Sequence, residues 1–345
     1  MTHDVRLARL LPFLLLLGLG ALSLGACAPV VMPEGPPVTS PRLDTDKLVM
    51  ADGTALPLRE WLPAGKPRAV VLALHGFNDY SKAFEEPAKD WLADGIATFA
   101  YDQRGFGQAP HRGYWAGSET YVDDLRTVAA LVRARYPGTP FYILGESMGG
   151  AVAMTAATGP DAPASNGLIL VAPAIWGREL QGPIASGALW LAAHTMPWLR
   201  VTGENLNIVP SDNIAMLREL GRDPNVIKAT RIDAVYGLVN LMDRSLAAAP
   251  KLTEPALVLY GAREEVMPSA AALSMLRRLP PPPERPQVAL YPKGYHMLLR
   301  DLDAETVRRD VAAWIIDRTR PLPSGADARG EALLDGHAKE LAATP

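Results

Sequence analysis

Six short apolar runs divide this chain into alternating strand and helix patterns. They are AVVLALH, IATFAYD, FYILG, GLILVAP, ALVLYG and QVALYP, at residues 69–75, 96–102, 141–145, 167–173, 256–261 and 287–292. Helical patterns such as FEEPAKDWLADG and ETYVDDLRTVAALVRARY lie between most of them. Strands that are apolar at every position are typical of a parallel sheet covered by helices on both faces. The sequence therefore predicts an α/β domain with a mostly parallel sheet, whose site lies at the carboxyl ends of the strands.

The composition is that of a globular protein without an obvious charged partner. Of the 345 residues, 48% are hydrophobic and 21% charged, and the net charge is -3. No long basic run is present, which argues against a nucleic-acid partner. No His, Cys or carboxylate cluster has metal-ligand spacing, and no G-x-G-x-x-G follows the first strand. We therefore expect no metal and no cofactor.

The N-terminal segment is predicted to be an export signal rather than part of the fold. Arg6 and Arg9 precede the apolar run LLPFLLLLGLGALSLGAC, which ends at Cys27, the only cysteine. The ending LGAC resembles the lipobox of bacterial lipoproteins, in which the cysteine becomes the lipidated first residue. This resemblance implies a signal peptide at 1–26 and a membrane anchor, for example palmitate, at Cys27. A simply cleaved signal and an uncleaved anchor helix remain alternatives.

The same resemblance places the protein in the bacterial cell envelope, facing the periplasm or the exterior. Ala28 stands where an Asp would favour the inner membrane, so the outer membrane is favoured. Residues 27–46, rich in proline and small residues, are interpreted as a tether. The domain is expected at 47–320, and residues 321–345 are expected to form a peripheral tail with one short helix near ARGEALLDGHAKEL.

The stretch GESMGG, directly after the apolar run FYIL, contains a serine in the pattern G-x-S-x-G. By itself this could be an ordinary Gly-rich turn. A helix pattern of small residues follows, however, and a sharp strand-to-helix turn exposes a serine at a helix N-terminus. The two flanking glycines remove Cβ atoms that would clash in such a turn. Ser147 is therefore the predicted nucleophile.

Two backbone N–H groups are candidates to stabilise the oxyanion of an acyl-transfer reaction. One follows the nucleophile, at Met148. The other is at Phe77, in the sequence HGFN that ends the first predicted strand. His75 in the same loop is interpreted as a structural histidine.

A nucleophilic serine needs a histidine base and a carboxylate that orients it, in the chain order serine, acid, histidine. His296, in KGYHMLL after the last predicted strand, is the candidate base. His194 lies in an apolar helical stretch and is expected to pack there or line a pocket. The acid should follow ALVLYG, where Glu264 is the first candidate. The alternatives are Glu265 and, more distantly, the two aspartates that follow the histidine, Asp301 and Asp303.

Five motifs in this order, HGFND, YDQRGFG, GESMGG, YGAREEVMP and GYHMLL, resemble those of the α/β-hydrolase superfamily. More narrowly they are similar to the monoacylglycerol lipase and lysophospholipase group, also called serine aminopeptidase S33-like hydrolases, over about residues 47–318. The family pattern G-x-x-D-x-V-x-P carries the acid at its fourth position, where this chain has Glu264 instead of Asp. The resemblance also matches Ser147 and His296 to the family triad, and Asp102 and Arg104 to a structural motif that braces the nearby loop.

About 80 residues separate GLILVAP from ALVLYG, far more than one crossover helix needs. The family resemblance places a helical cap there, at about 174–250. We interpret its apolar residues as a lid over an acyl-binding cleft, although they could equally form the packing core of the cap: Trp176, Leu189, Trp190, Leu191, Met196, Trp198 and Leu199.

The resemblance implies a serine hydrolase that cleaves carboxylic esters of monoacyl lipids, such as a monoglyceride or a lysophospholipid, through an acyl-enzyme. A peptidase or an acyltransferase with the same triad is an alternative, as is a lipid-anchored binding protein that has lost catalysis. Dehalogenases and epoxide hydrolases of this fold are disfavoured, because they have an aspartate where Ser147 stands.

Overall fold

The computed structural model describes residues 28–203 and 207–336. The predicted signal peptide and Cys27 lie outside these ranges. Within them, no helix combines the length and the hydropathy needed to cross a membrane.

The strands of the described chain are β1 (Arg42–Leu43), β2 (Lys47–Val49), β3 (Ala55–Trp61), β4 (Ala69–Leu74), β5 (Ile96–Tyr101), β6 (Phe141–Glu146), β7 (Gly167–Val171), β8 (Arg200–Val201), β9 (Thr230–Arg231), β10 (Ala256–Gly261) and β11 (Gln287–Tyr291). Nine of the described strands form one sheet in the order β1-β2-β3-β5-β4-β6-β7-β10-β11. The run from β5 to β11 is parallel, whereas β1, β2 and β3 pair antiparallel at one end. This confirms the predicted α/β-hydrolase sheet, and all six apolar runs are strands.

The helices are α1 (Glu85–Leu92), α2 (Ser118–Arg135), α3 (Met148–Ala157), α4 (Arg178–Gln181), α5 (Pro183–Thr195), α6 (Ile214–Arg222), α7 (Ile232–Ala248), α8 (Ser269–Arg278), α9 (Ala304–Ile316) and α10 (Ala326–Leu334). Short 3-10 turns precede α1 at Ser81–Phe84 and follow α7 at Ala249–Lys251. The elements from α4 to α7, with β8 and β9, lie between β7 and β10, where the cap is expected.

The central strands are apolar throughout because helices cover both faces of the sheet. Along β4, Val70 and Leu72 belong to the core under α2 and α3, whereas Val71 belongs to the core under α1 and α9. Trp91 of α1 and Trp314 of α9 are almost fully buried in the second core. Burial of both faces fixes the strand ends, and therefore the loops that follow them, in a rigid frame.

The residues expected to form a tether are packed on the domain instead. The N-terminal strap (residues 28–39) runs along the start of α2 and α7. The N–H of Met32 donates to the carbonyl of Trp115 over 2.8 Å, and the N–H of Val30 donates to the carboxylate of Asp233 over 3.2 Å. Val38 and Thr39 both donate to the carbonyl of Ala51. Proline prevents this segment from forming a helix, but most of its remaining N–H groups are paired with the domain.

The C-terminal segment, expected to be peripheral, also belongs to the fold as far as residue 336. Helix α10 lies against β11 at the edge of the sheet, and Leu322 and Ala326 are buried there. The guanidinium of Arg329 donates to the carbonyl of Leu290 over 3.0 Å. This contact protects a sheet edge that would otherwise expose unpaired backbone groups.

Candidate active site

Ser147 lies at the tight turn between β6 and α3. Its φ and ψ are 53° and -113°, a backbone conformation that L-residues rarely adopt. The turn requires glycine on both sides. A Cβ at Gly145 would lie 2.3 Å from the carbonyl oxygen of Gly149, and a Cβ at Gly149 would lie 2.1 Å from that of Leu74. The structure thus has the strained strand-to-helix turn that the sequence predicts for a nucleophile.

The two predicted oxyanion donors, Phe77 and Met148, belong to segments that lie close together. Met148 is the first residue of α3, where the initial N–H groups of a helix have no partner within the helix, and no side chain caps this end. Among the hydrogen bonds of the described residues, none has the Phe77 N–H as its donor. The loop of Phe77 approaches the nucleophile closely, since a Cβ at Gly76 would lie 3.4 Å from the Cβ of Ser147. Both N–H groups are therefore available to an oxyanion.

His75 has a structural role, as expected. Its Nε2 accepts the backbone N–H of Gln103 over 3.0 Å, so its Nδ1 carries the proton and donates to the carbonyl of Gly76 over 2.8 Å. The ring is fully buried, and burial lowers its pKa. With both nitrogens occupied, His75 holds the loop that contains Phe77 (residues 75–79, named the oxyanion loop) and is not available as a base.

His296 and Glu264 form a buried hydrogen-bonded pair. The Nδ1 of His296 donates to Oε2 of Glu264 over 2.7 Å, and their side chains are only 9% and 5% exposed. The other carboxylate oxygen, Oε1, accepts the backbone N–H groups of Val266 and Met267, over 2.7 and 3.0 Å. Three donors thus orient this carboxylate, and its bond to Nδ1 leaves Nε2 of His296 free to accept a proton.

The other candidate acids are engaged elsewhere. The Glu265 carboxylate accepts the N–H of Val209 in the cap. The Asp301 carboxylate accepts the hydroxyl of Ser211 and the N–H of Tyr295, and Asp303 accepts the hydroxyl of Thr306. Of the candidate acids, Glu264 is therefore the one that lies beside the histidine.

The surroundings of His296 favour its charged form. Burial alone would lower its pKa, but the charge of Glu264 and the hydrogen bond to it outweigh burial, so that the pKa is raised above 6.5. Glu146 raises it further, and the positive charge of Arg300 opposes this.

A match to a family profile shows which protein family this chain belongs to. The profile described as "Serine aminopeptidase, S33" matches residues 65–303. The chain belongs to this family. Those residues contain all five motifs as well as the loops of Ser147, Glu264 and His296.

Relatives in this family share most of the chain. It is 30% identical to the monoglyceride lipase of Homo sapiens over 299 residues, which cover 83% of this chain and 95% of that protein. It is 27% identical to the monoacylglycerol lipase of Mycolicibacterium smegmatis over 272 residues, which cover 74% and 91%.

Solved structures share the fold. A soluble variant of monoglyceride lipase from Saccharomyces cerevisiae, in complex with a substrate analogue, aligns with a TM-score of 0.65 at 20% identity. The alignment covers 84% of this chain and 98% of that one. At this identity the similarity establishes the α/β-hydrolase fold.

The motif YDQRGFG of this serine aminopeptidase S33 family member has the bracing role expected from the sequence. Asp102 accepts the N–H and hydroxyl of Ser81 and the N–H of Gln108. The Arg104 guanidinium lies between the carboxylates of Asp52 and Asp124, over 2.6 and 2.8 Å. Both side chains hold loops together and neither contacts the triad candidates.

The apolar residues of the cap divide into two groups. Trp176 and Leu189 pack against the core, whereas the others are 42–58% exposed: Trp190, Leu191, Met196, Trp198 and Leu199. His194 stacks on Trp190 with 4.4 Å between ring centroids, so it packs in the cap, one of the two places expected for it. Helix α5 contains no Asp, Glu, Lys or Arg and buries only Ala193.

One feature of the site was missed by sequence reasoning. Arg300, four residues after the histidine, pairs with Asp79 of the oxyanion loop and with Glu146 beside the nucleophile, over 2.8 and 3.2 Å. The signal was present, since each of these charged residues adjoins a catalytic motif. Nothing in the sequence, however, indicates that three separate motifs share one cation.

Proposed function

We propose that this protein hydrolyses carboxylic esters of monoacyl lipids with Ser147 as nucleophile, His296 as base and Glu264 as the orienting acid. The observation that carries this assignment is the buried hydrogen bond between Glu264 and His296, over 2.7 Å, in the loops next to a strained serine turn. Ester hydrolysis is also the activity in the names of the relatives, which are monoglyceride and monoacylglycerol lipases.

In the proposed reaction, Ser147 Oγ attacks the ester carbonyl while Nε2 of His296 takes its proton. The N–H groups of Phe77 and Met148 stabilise the oxyanion, each contributing about 3 kcal/mol in the transition state. His296 then gives the proton to the departing alcohol, which leaves an acyl-enzyme. Water attacks this ester with the same base, and the fatty acid is released with the serine restored.

The cap supports a lipid substrate. An amphipathic helix of a water-soluble domain normally directs charged residues to solvent, and a helix without charge is normally buried. Helix α5 is apolar yet mostly exposed, with Ile184 at 87% and Leu191 at 56%. This surface fits contact with acyl chains better than contact with water.

We also propose that Cys27 carries a lipid and anchors the enzyme in the cell envelope. The lipobox resemblance supports this, and two or more acyl chains suffice for stable attachment. Incorporation of radiolabelled palmitate tests it. The wild type should be labelled and Cys27→Ser should not, and a wild type without label would reject the anchor.

The catalytic assignment is tested with an active-site probe. A fluorophosphonate should label the wild type, and Ser147→Ala should abolish the labelling. Ser165→Ala, near the surface and outside the site, is the matched control and should label normally. If the wild type is correctly folded but is not labelled, the hydrolase assignment is wrong and the non-catalytic binding protein is favoured.

The substrate class needs a hydrolysis profile. We expect cleavage of p-nitrophenyl esters of increasing chain length, of monoglycerides and of lysophospholipids, with monoacyl lipids preferred. An aminoacyl amide belongs in the same assay, because the family description names an aminopeptidase. If the amide were the best substrate, the peptidase alternative would replace the lipid assignment. Transfer of the acyl group to an added alcohol in preference to water would indicate an acyltransferase.

A further inference from the structure

Arg300 connects three loops, each of which carries a candidate catalytic residue. The oxyanion loop after β4 contributes Asp79, two residues after the donor Phe77. The turn after β6 contributes Glu146, adjacent to the nucleophile. Arg300 itself belongs to the loop after β11, four residues beyond His296.

The three side chains form a buried ionic cluster. Nη2 of Arg300 lies 2.8 Å from Oδ2 of Asp79 and 3.2 Å from Oε1 of Glu146. The exposed fractions of the three side chains are 10% for Arg300, 10% for Asp79 and 3% for Glu146. Breaking such a pair leaves an uncompensated charge in a medium of low dielectric constant, so the loops resist separation.

The backbone of Arg300 is also held by hydrogen bonds. The N–H of Arg300 donates to the carbonyl of Met297 over 2.7 Å, and the carbonyl of Arg300 accepts the side-chain amide of Asn213 in the cap over 2.9 Å. The neighbouring carboxylate of Asp301 accepts the N–H of Tyr295 over 2.7 Å. The residues on either side of His296 are thus held by the same turn that presents the guanidinium.

We propose that Arg300 is a positioning residue that clamps the oxyanion loop, the nucleophile turn and the histidine loop into one reactive geometry. This inference rests on the proposed function, since it assumes that these loops carry out the reaction. Its role is to set the distances among reacting groups, and a displacement of about 1 Å costs about 100-fold in rate. The clamp should therefore affect kcat, and KM should change little.

The cluster carries one net negative charge, so the clamp should also affect the pH dependence of the reaction. Glu264, Glu146 and Arg300 are the charged groups that influence His296. Loss of the Glu146 charge should lower the pKa of His296, and loss of the Arg300 charge should raise it. A residue that only stabilises the fold would not move the pH profile in opposite directions in these two variants.

The experiment compares Glu146→Gln, Arg300→Lys and Arg300→Met by steady-state kinetics on a p-nitrophenyl ester between pH 5 and 9. Arg300→Met should lower kcat about 100-fold with KM within about threefold. Arg300→Lys should recover part of this loss, because an ammonium can engage one carboxylate but lacks the guanidinium fork. The acid limb of kcat/KM should move to lower pH in Glu146→Gln and to higher pH in Arg300→Met.

Arg104→Met is the matched control, because Arg104 is also buried between two carboxylates but contacts none of the triad candidates. It should lower the melting temperature without moving the acid limb. If Arg300→Met does not fold, Glu146→Gln and Arg300→Lys still decide, since both keep the pair with Asp79.

Two results would overturn the clamp. One is that Arg300→Lys and Glu146→Gln both keep the wild-type kcat and the wild-type acid limb of kcat/KM. The other is a rise in KM at constant kcat, which would assign Arg300 to a ligand in the cavity of about 520 Å³ that it lines with Asp79. Fluorophosphonate labelling of the wild type separates these results from failure of the proposed function, because that failure would remove labelling from the unaltered enzyme.

Discussion

Replacing Glu264 by glutamine tests the least conventional member of the proposed triad. Glutamine keeps the length and shape of the side chain but turns one oxygen into an NH2 group. Oε1 accepts two backbone N–H groups, from Val266 and Met267, so the amide oxygen must remain on that side. The NH2 group is then directed at Nδ1 of His296, where the carboxylate oxygen now lies 2.7 Å away.

This orientation forces the wrong tautomer on His296. An NH2 group can only donate, so Nδ1 must become an acceptor and the proton of the neutral ring moves to Nε2. A protonated Nε2 cannot take the proton of Ser147. In another triad hydrolase the equivalent change lowers kcat about 10⁴-fold, which corresponds to about 5 kcal/mol of transition-state stabilisation. We expect Glu264→Gln to lower kcat by 10³- to 10⁴-fold, on the order of 4–5 kcal/mol.

The assay is the rate of p-nitrophenyl ester hydrolysis at saturating substrate, with folding checked by circular dichroism. Glu265→Gln is the matched control, because its carboxylate accepts the N–H of Val209 in the cap. It should keep its activity within about threefold. A kcat of Glu264→Gln within tenfold of wild type, or an equal loss of kcat in Glu265→Gln, would refute the role of Glu264.

Three further predictions follow from the same structure. The acid limb of kcat/KM should lie above pH 6.5, because the pKa of His296 is raised and only the neutral ring accepts a proton; a pH–rate profile with a limb below 6.5 would contradict this. Gly330→Ala should lower the free energy of unfolding in urea by about 1–3 kcal/mol, since its Cβ would lie 2.0 Å from a backbone oxygen of β11. Gly221→Ala, with open space around it, is its control and should not destabilise. Leu191→Asp should slow hydrolysis of vesicle-borne monoglyceride but not of p-nitrophenyl acetate, and equal slowing of both would argue against a lipid-contacting cap.

The parallel part of the fold could be predicted because double-sided burial leaves a direct trace in the sequence. Each parallel strand is an uninterrupted apolar run, and the loops after these strands hold the catalytic candidates. Strand β3 is not such an apolar run. It alternates buried Leu56 and Leu58 with the more exposed Pro57 and Arg59, and pairs antiparallel near the end of the sheet. Its pattern is more polar than those of the parallel strands, which is why β3 was not predicted.

The contacts that were missed all join distant parts of the chain. The composition predicts a tether at residues 27–46, but it cannot show that the carbonyl of Trp115 accepts the N–H of Met32. The same holds for the clamp, because Arg300 lies 154 residues from its partner Glu146. The pair of Glu264 and His296 could be predicted because catalysis demands particular residue types, whereas structural ion pairs can be placed at many positions.

The strap has a mechanical consequence for an enzyme attached through Cys27. Only Ala28 and Pro29 separate that cysteine from Val30, whose N–H is held by Asp233 of α7. At about 3.4 Å per residue, the segment from Cys27 to Val30 would span at most about 10 Å. Attachment through Cys27 would therefore keep the side of the molecule that carries α7 close to the bilayer. The strap also shares Trp115 with the oxyanion loop, whose Phe77 ring lies 6.4 Å from the indole. The strap and the loop of Phe77 thus meet at the same residue.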